Sequence, residues 1–242
     1  KAAGAVLTMA IGEAEQRHYH HGNVKEALVD EALKFIETEE LASLSLRGLA
    51  REVGISPSAV YNHFADKNAL MLAIKLRLYR DLNAYFARFR QPVADPEQSL
   101  LNMCLAYYRF AEDNPTHFQI LFNSSLPQEN ATPEYIEISG RCLTETRRAV
   151  LKIFSKYHER VSEESVVRAT MLIWSQLHGL ISLKRSGTIK AAAANQDWPQ
   201  SCRLTSEGDV EQLINIFVRN AVTAIMNAQR YQGIAGATTC DH

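Results

Sequence analysis

The sequence predicts an all-α chain: a three-helix head built on a helix-turn-helix, a long connecting helix, and a second all-helical domain. Three observations carry this. Apolar residues recur at helical spacing in segment after segment, as in Val24, Leu28, Ala32 and Phe35. Ser, Asn and Asp stand before those segments, and Gly or Pro breaks them. No stretch alternates apolar and polar residues as a half-buried strand does, and no internal repeat is present.

Composition sets the bounds. At 242 residues, with 26 basic and 27 acidic side chains, the chain reads as a soluble globular protein of one large or two modest domains. Cys104, Cys142, Cys202 and Cys240 are widely spaced, with no C-x-x-C pair. That spacing opposes a disulfide framework or a zinc module and suits a reducing cytoplasm. No apolar run is long enough to span a membrane. Residues 1–22 read as a flexible arm. Its start, Lys1 and then Ala2 to Ile11, faintly resembles a signal peptide, but Gly4, Thr8 and Gly12 interrupt it, so a loose tail or a start-site artefact is the expected reading. His18, His20 and His21 lie in that arm without fixed tetrahedral geometry, and no metal site is assigned.

The head is expected over residues 23–70. Asn23 caps a helix from Val24 to about Glu39, and Leu41 to Leu44 form a turn. Ser45 caps the next helix, whose Leu46, Leu49, Ala50 and Val53 give an apolar face. Gly54 turns the chain where φ > 0 is needed. Ser56 then caps a short helix with Pro57 in its first turn. Val60 and Phe64 are expected to face inward. Ser56, Ser58, Tyr61 and Asn62 present small or flat hydrogen-bonding groups outward, as an element entering a DNA major groove requires.

The second domain is expected over residues 71–232, with 233–242 a loose tail. A helix from Lys67, capped by Asp66, runs to about Arg90 on Leu70, Ile74, Leu78 and Leu82, and Gln91–Pro96 ends it. Asp95 and Pro96 open a helix reaching about Asn114, followed by a short one, Thr116 to Phe122, and a loop from Asn123 to Pro133. The next helix, to about Tyr157, buries Leu143, Thr146, Val150, Ile153 and Tyr157. Ser162 caps a helix to about Ser186 with two apolar faces: Val166, Thr170, Ile173 and Leu177 on one, Val167, Met171, Trp174, His178 and Ile181 on the other. Gly187 to Thr205 reads as irregular. Ser206 or Asp209 caps the last helix, with its stripe Val210, Leu213, Ile214, Phe217, Val218, Ala221 and Ile225.

The pattern Ser45-x-x-x-Leu49-Ala50-x-x-x-Gly54-Ile55-Ser56-x-x-x-Val60-Tyr61-x-His63-Phe64-x-x-Lys67-x-x-Leu70 closely resembles the DNA-binding signature of the TetR family of bacterial regulators. The match is strongest over Leu41 to Leu82. Ser stands at Ser45 where Thr is commoner, and Pro57-Ser58-Ala59 stand where the family often carries a Gly. The resemblance implies a dimer reading a palindromic operator on double-stranded DNA. It assigns Ser45, Tyr61, His63 and Lys67 to the DNA backbone, and Arg47, Ser58 and Pro57 to base edges, with Ser56 at the same surface. An arm such as that at Arg17 serves the backbone or minor groove in some members. Bulk charge does not add to this. Lys25, Lys34, Arg47, Arg51 and Lys67 share the head with Glu26, Asp30, Glu31, Glu37, Glu39, Glu40, Glu52 and Asp66.

For the second domain, the resemblance implies ligand binding and dimerisation, with the last two long helices of each homodimer partner joined in a four-helix bundle. Trp174-Ser175-Gln176-Leu177-His178-Gly179 looks like the W-x-x-x-H-G motif of one branch of such sensors. Trp174 and His178, with Tyr107, Tyr108, Phe118 and Phe122, could line a pocket for a small apolar or aromatic effector with one polar group. The competing reading makes these residues core. The functional expectation is a cytoplasmic, ligand-responsive repressor without a cofactor. The alternative is a helical small-molecule binding protein or an enzyme using Cys104, Cys142 and His178, without DNA binding.

Overall fold

The computed structural model describes residues 24–89, 94–124, 126–194 and 206–227. Those residues form α-helices and short 3-10 turns and no strand. No helix among them is long and apolar enough to cross a membrane. The histidine arm with Arg17, the Asn23 cap, the Gln91–Pro92 joint, residues 195–205 with Cys202, and the tail with Cys240 lie outside the described residues.

By compactness the chain forms two units: Lys1–Leu78 with Gln119–Ile136, and Tyr79–Phe118 with Glu137–His242. The first holds α1 (Val24–Thr38) and α2 (Leu46–Val53), with a 3-10 turn, Leu41–Ser43, between them. Leu28, Val29, Ala32 and Ile36 are the buried face of α1. The expected stripe ended instead on Phe35, which is only half-buried. At 100° per residue, Ile36 stays above Ala32, while Phe35 rotates off the line. Leu46, Leu49 and Ala50 close this core from α2.

Local chemistry shapes the corner after α2. The Ser45 hydroxyl accepts a hydrogen bond from the Gly48 N–H at 3.1 Å, satisfying one of the helix's orphan donors. Gly54 ends the helix at φ 79°, ψ 28°. A Cβ added there meets no atom within 4 Å, so its cost is purely that of the left-handed backbone. Gly54→Ala is therefore expected to lower stability by about 1–2 kcal/mol in urea denaturation.

The element after that turn differs from the expected short α-helix. Ala59–Asn62 is a 3-10 turn. Its bonds run from the Ala59 N–H to the Ser56 carbonyl, the Tyr61 N–H to the Ser58 carbonyl and the His63 N–H to the Val60 carbonyl, at 3.0, 3.3 and 3.0 Å. Pro57 brings no N–H, and the Ser56 hydroxyl also accepts from the Ala59 N–H at 3.1 Å, which tightens the first turn. α3 (Lys67–Phe89) begins only five residues after Asn62, with Asp66 Oδ1 accepting from the Ala69 N–H at 2.8 Å.

The second unit is built on α4 (Pro96–Asp113), α6 (Pro133–Tyr157), α7 (Glu163–Arg185) and α9 (Glu207–Met226). The short α5 (Pro115–Asn123) begins in it. Its core joins Leu100 and Cys104 of α4, Val150 and Ile153 of α6, Ile173 and Ile181 of α7, and Ile214 and Val218 of α9. Thr170, buried among apolar side chains, gives its hydroxyl proton to the Val166 carbonyl at 2.7 Å. The Val166–Thr170–Ile173–Leu177 face of α7 is deeply buried, as is Ile181 of the second expected face; Val167 and Met171 of that second face, and Leu172, are exposed. The expected irregular stretch after Gly187 begins instead with a helix, α8 (Thr188–Ala193), which Gly187 enters at φ 75°. Ser206 and Asp209 form a reciprocal capping box at the start of α9.

Candidate functional site

The first unit carries the eight side chains expected at DNA, and all are exposed: Ser45, Arg47, Ser56, Pro57, Ser58, Tyr61, His63 and Lys67. Their backbone is fixed from beneath by Val60 and Phe64, at 0 and 2 % exposure. Arg51, outside the expected site, stands one turn after Arg47 on α2 and is exposed on the same face. The i, i+4 spacing was the signal that could have found it. Ser45 spends one acceptor on its cap and keeps its O–H to donate. Ser56 and Ser58 share a hydroxyl hydrogen bond at 3.0 Å, which orients both.

Lys67, expected mainly at the DNA backbone, also makes contacts within the head. Its ammonium donates to the carbonyls of Leu41 and Ala42, both at 3.1 Å. Two of its three donors thus tie the start of α3 to the turn between α1 and α2. On α1, Asp30 and Glu31 are drawn to Arg77 and Lys34 at 3.3 and 3.2 Å. These exposed pairs contribute little to stability. They do occupy part of the acidic charge that would otherwise oppose a polyanion.

In the second unit the structure brings together four of the six residues expected at a ligand. The Tyr107 hydroxyl and His178 Nδ1 are 2.9 Å apart. The Phe118 ring stacks on His178 at 5.5 Å and meets Tyr107 edge-on at 5.6 Å, and Trp174 lies 5.7 Å from His178. Burial pushes the Tyr107 phenol well above its ordinary value and lowers His178 below the usual imidazole value. The pair is therefore a neutral hydrogen bond, with a protonated phenol against a neutral imidazole. Tyr107 and Phe118 are buried, while Trp174 and His178 are half-buried. Tyr108 is directed elsewhere: the Lys184 ammonium sits 5.1 Å over its ring and pairs with Glu112. Phe122 belongs to the first unit.

A cavity lies elsewhere in the second unit. About 420 Å³ in volume, it is lined by α3, α4 and α6, and none of the six expected residues lines it. Ala84, Ala87 and Ala106 leave the room, and Phe86, Met103 and Ile138 complete the apolar wall. Arg80, Asn83, Arg141, Cys142 and Glu145 supply its polar groups. Asn83 fastens α3 to α6, donating to the Ile138 carbonyl at 3.1 Å and accepting from the Cys142 thiol at 3.1 Å. Burial pushes Cys142 and Cys104 up to about 12, so both are thiols at neutral pH and neither is a ready nucleophile. Ala84 and Ala87 on α3 and Ala106 on α4 read as ordinary helix formers, which is why the sequence did not disclose this space.

Residues 28–74 match the sequence profile of bacterial regulatory proteins of the tetR family, and residues 100–200 that of the tetracyclin repressor-like C-terminal domain. Together the two matches span more than half of the chain. An uncharacterised HTH-type transcriptional regulator of Mycobacterium tuberculosis is 27% identical over 165 residues, covering 68% of this chain and 72% of that one. Among solved structures, a protein of unknown function from Rhodococcus sp. RHA1 superposes with a TM-score of 0.67 at 21% identity, over 86% of this chain and 97% of that one. The regulator PfmR from Thermus thermophilus follows the same fold, with a TM-score of 0.53 at 22% identity, over 81% of this chain and 97% of that one.

Proposed function

The chain belongs to the TetR family of bacterial transcriptional regulators, and from that premise we propose that it is a repressor that grips a palindromic operator as a homodimer and releases it when a small molecule enters its second unit. DNA binding by the helix-turn-helix and a C-terminal ligand-binding domain come with the family. The observation that carries the operator reading is the corner after Gly54. Two buried side chains, Val60 and Phe64, hold a four-residue 3-10 turn whose Tyr61 is 45 % exposed. Arg47, Ser58, Tyr61 and His63 are thereby offered outward on fixed backbone. Two such heads, about one DNA turn apart, suit a palindrome.

The dimer reading is supported by Val167, Met171 and Leu172 on α7 and Ile216 on α9, exposed apolar side chains on the two helices that would join the partner's. The effector reading is supported by the cavity among α3, α4 and α6, whose 420 Å³ falls within the range of small-molecule sites. The proposed place of action is the cytoplasm, where operator DNA is found.

Selection of bound DNA from a random pool supplies the cognate sequence, and Arg47 then tests the reading. Arg47→Ala is expected to cost about 1–3 kcal/mol at the selected site in a mobility shift and little on random DNA. A loss equal on both would move Arg47 from base reading to phosphate contact. Failure of the native chain to select any sequence at low salt would remove the regulator reading.

A further inference from the structure

Resting on the reading of the α3–α4–α6 cavity as the effector site, we propose that this cavity takes a neutral molecule with an apolar body and one hydroxyl group, the body against the alanine wall and the hydroxyl on the Asn83 amide. The body follows from the wall. Ala84, Ala87 and Ala106 offer only methyl groups, and Phe86, Met103 and Ile138 extend the apolar surface. A polar group carried along the body would lose its water there and gain little in return. The volume, near the lower end for ligand sites, limits the body to a modest length.

The hydroxyl follows from Asn83. Its amide has one possible orientation. The Ile138 carbonyl can only accept, so Nδ2 faces it at 3.1 Å, and Oδ1 turns to the Cys142 thiol at 3.1 Å. Asn83, Ile138 and Cys142 all line the cavity. A primary amide has two N–H donors and two oxygen lone pairs, and these two bonds use one of each. The second N–H and the second lone pair have no bond among the described residues. One donor beside one acceptor is the complement of a hydroxyl, which gives its proton to Oδ1 and accepts from Nδ2. An ether or a carboxylate only accepts, and an ammonium only donates, so each meets half of the pair. The lining does not favour an ion either. Arg80, Arg141 and Glu145 place both signs of charge around the cavity, so a charged end of either sign meets its like as well as its opposite.

The test is calorimetric titration of the full chain with four probes of similar body: 1-octanol, its isomer heptyl methyl ether, octanoate and octylammonium. Octanol and the ether hold the same atoms and differ in the O–H donor. Octanol is expected to bind about fivefold more tightly than the ether, the worth of one further hydrogen bond, and more tightly than either ion. N83L keeps the bulk of the side chain and removes both polar groups, so it should bring octanol down to the level of the ether. If N83L does not fold, the order of the four probes on the native chain decides alone. A84L with A87L should abolish all binding by filling the space. Ala84 and Ala87 are exposed, so this variant should melt like the native chain. Equal binding of octanol and ether, tighter binding of either ion, an octanol preference that survives in folded N83L, or binding that survives the leucines would each overturn the proposal. A parallel mobility shift separates it from the regulator reading. Octanol bound in the expected pattern but without operator release would uphold the ligand class and remove the effector role. Operator release by another molecule, with octanol inert, would overturn the ligand class and leave the regulator reading standing.

Discussion

Lys75→Ala is expected to destabilise the protein by about 3 kcal/mol, from the hole it leaves and the two carbonyls it strands. Lys75 is only 2 % exposed. Its ammonium donates to the carbonyls of Leu121 at 3.2 Å and Ser124 at 2.6 Å, at the C-terminal end of α5. A cation suits that position, because the last carbonyls of a helix have no intrahelical donors and the dipole is negative there. Lys75→Met keeps most of the volume and removes the buried charge, so it should cost less, about 1 kcal/mol. Urea denaturation of both variants measures the difference.

The same group makes a pH prediction with a definite sign. Burial draws the Lys75 pKa below its ordinary 10.5. Between the lowered value and 10.5 the unfolded chain holds a proton that the folded chain has released. Stability from this group therefore rises with pH across that window, and is least below the folded value. The neutral amine still has two N–H donors, as many as the two carbonyls accept. The stability of the native chain minus that of Lys75→Met should accordingly climb as pH approaches 10.5 from neutral. Tyrosines and the other lysines titrate in both proteins and cancel in the difference. A difference that stays flat would mean that the ammonium is not driven to lose its proton by burial.

Lys75 also shows where sequence reading stops. The corner from Ser45 to Asp66 was legible because its determinants are local: a hydroxyl three residues from the N–H it caps, a glycine at φ 79°, a carboxylate capping the next helix. A cap at Ser206 or Asp209 and one apolar face each on α7 and α9 were legible for the same reason, though not that both residues join in a capping box or that Val167 and Met171 stay exposed. Lys75 follows Ile74 in an ordinary amphipathic pattern, and its partners stand 46 and 49 residues away. Nothing near it in the chain marks it as buried. The cavity was hidden for a different reason: alanine is an ordinary helix former, and nothing in the pattern of α3 or α4 marks Ala84, Ala87 or Ala106 as facing open space. The Trp174–His178 spacing did predict a cluster, but periodicity could not say whether aromatics at one face enclose a ligand or one another. Here Tyr107 and Phe118 pack directly on His178.

Phe64→Ala is expected to be the most damaging single change in the head, at about 4 kcal/mol. Phe64 is 2 % exposed, and its N–H bonds to the Val60 carbonyl at 3.0 Å. Its ring also carries the Lys25 ammonium at 5.7 Å. Val60 is the buried residue of the 3-10 turn, and Phe64 follows one turn later, so the pair sets the rotation of everything between. An α-helix of ordinary length would spread that task over several apolar side chains. A four-residue turn cannot, and losing the larger anchor frees Tyr61 and His63 from their geometry. Operator affinity should then fall even at a temperature where the variant remains mostly folded. Tyr61→Ala is the contrasting case: its side chain is 45 % exposed, so its melting should stay within about 0.5 kcal/mol of native while operator affinity drops. Thermal melting and a mobility shift on the two variants separate anchoring from contact. Retention of native operator affinity by folded Phe64→Ala would show that the turn holds its shape without that anchor. The outward side chains would then owe their placement to the Gly54 turn and the Ser56 cap alone.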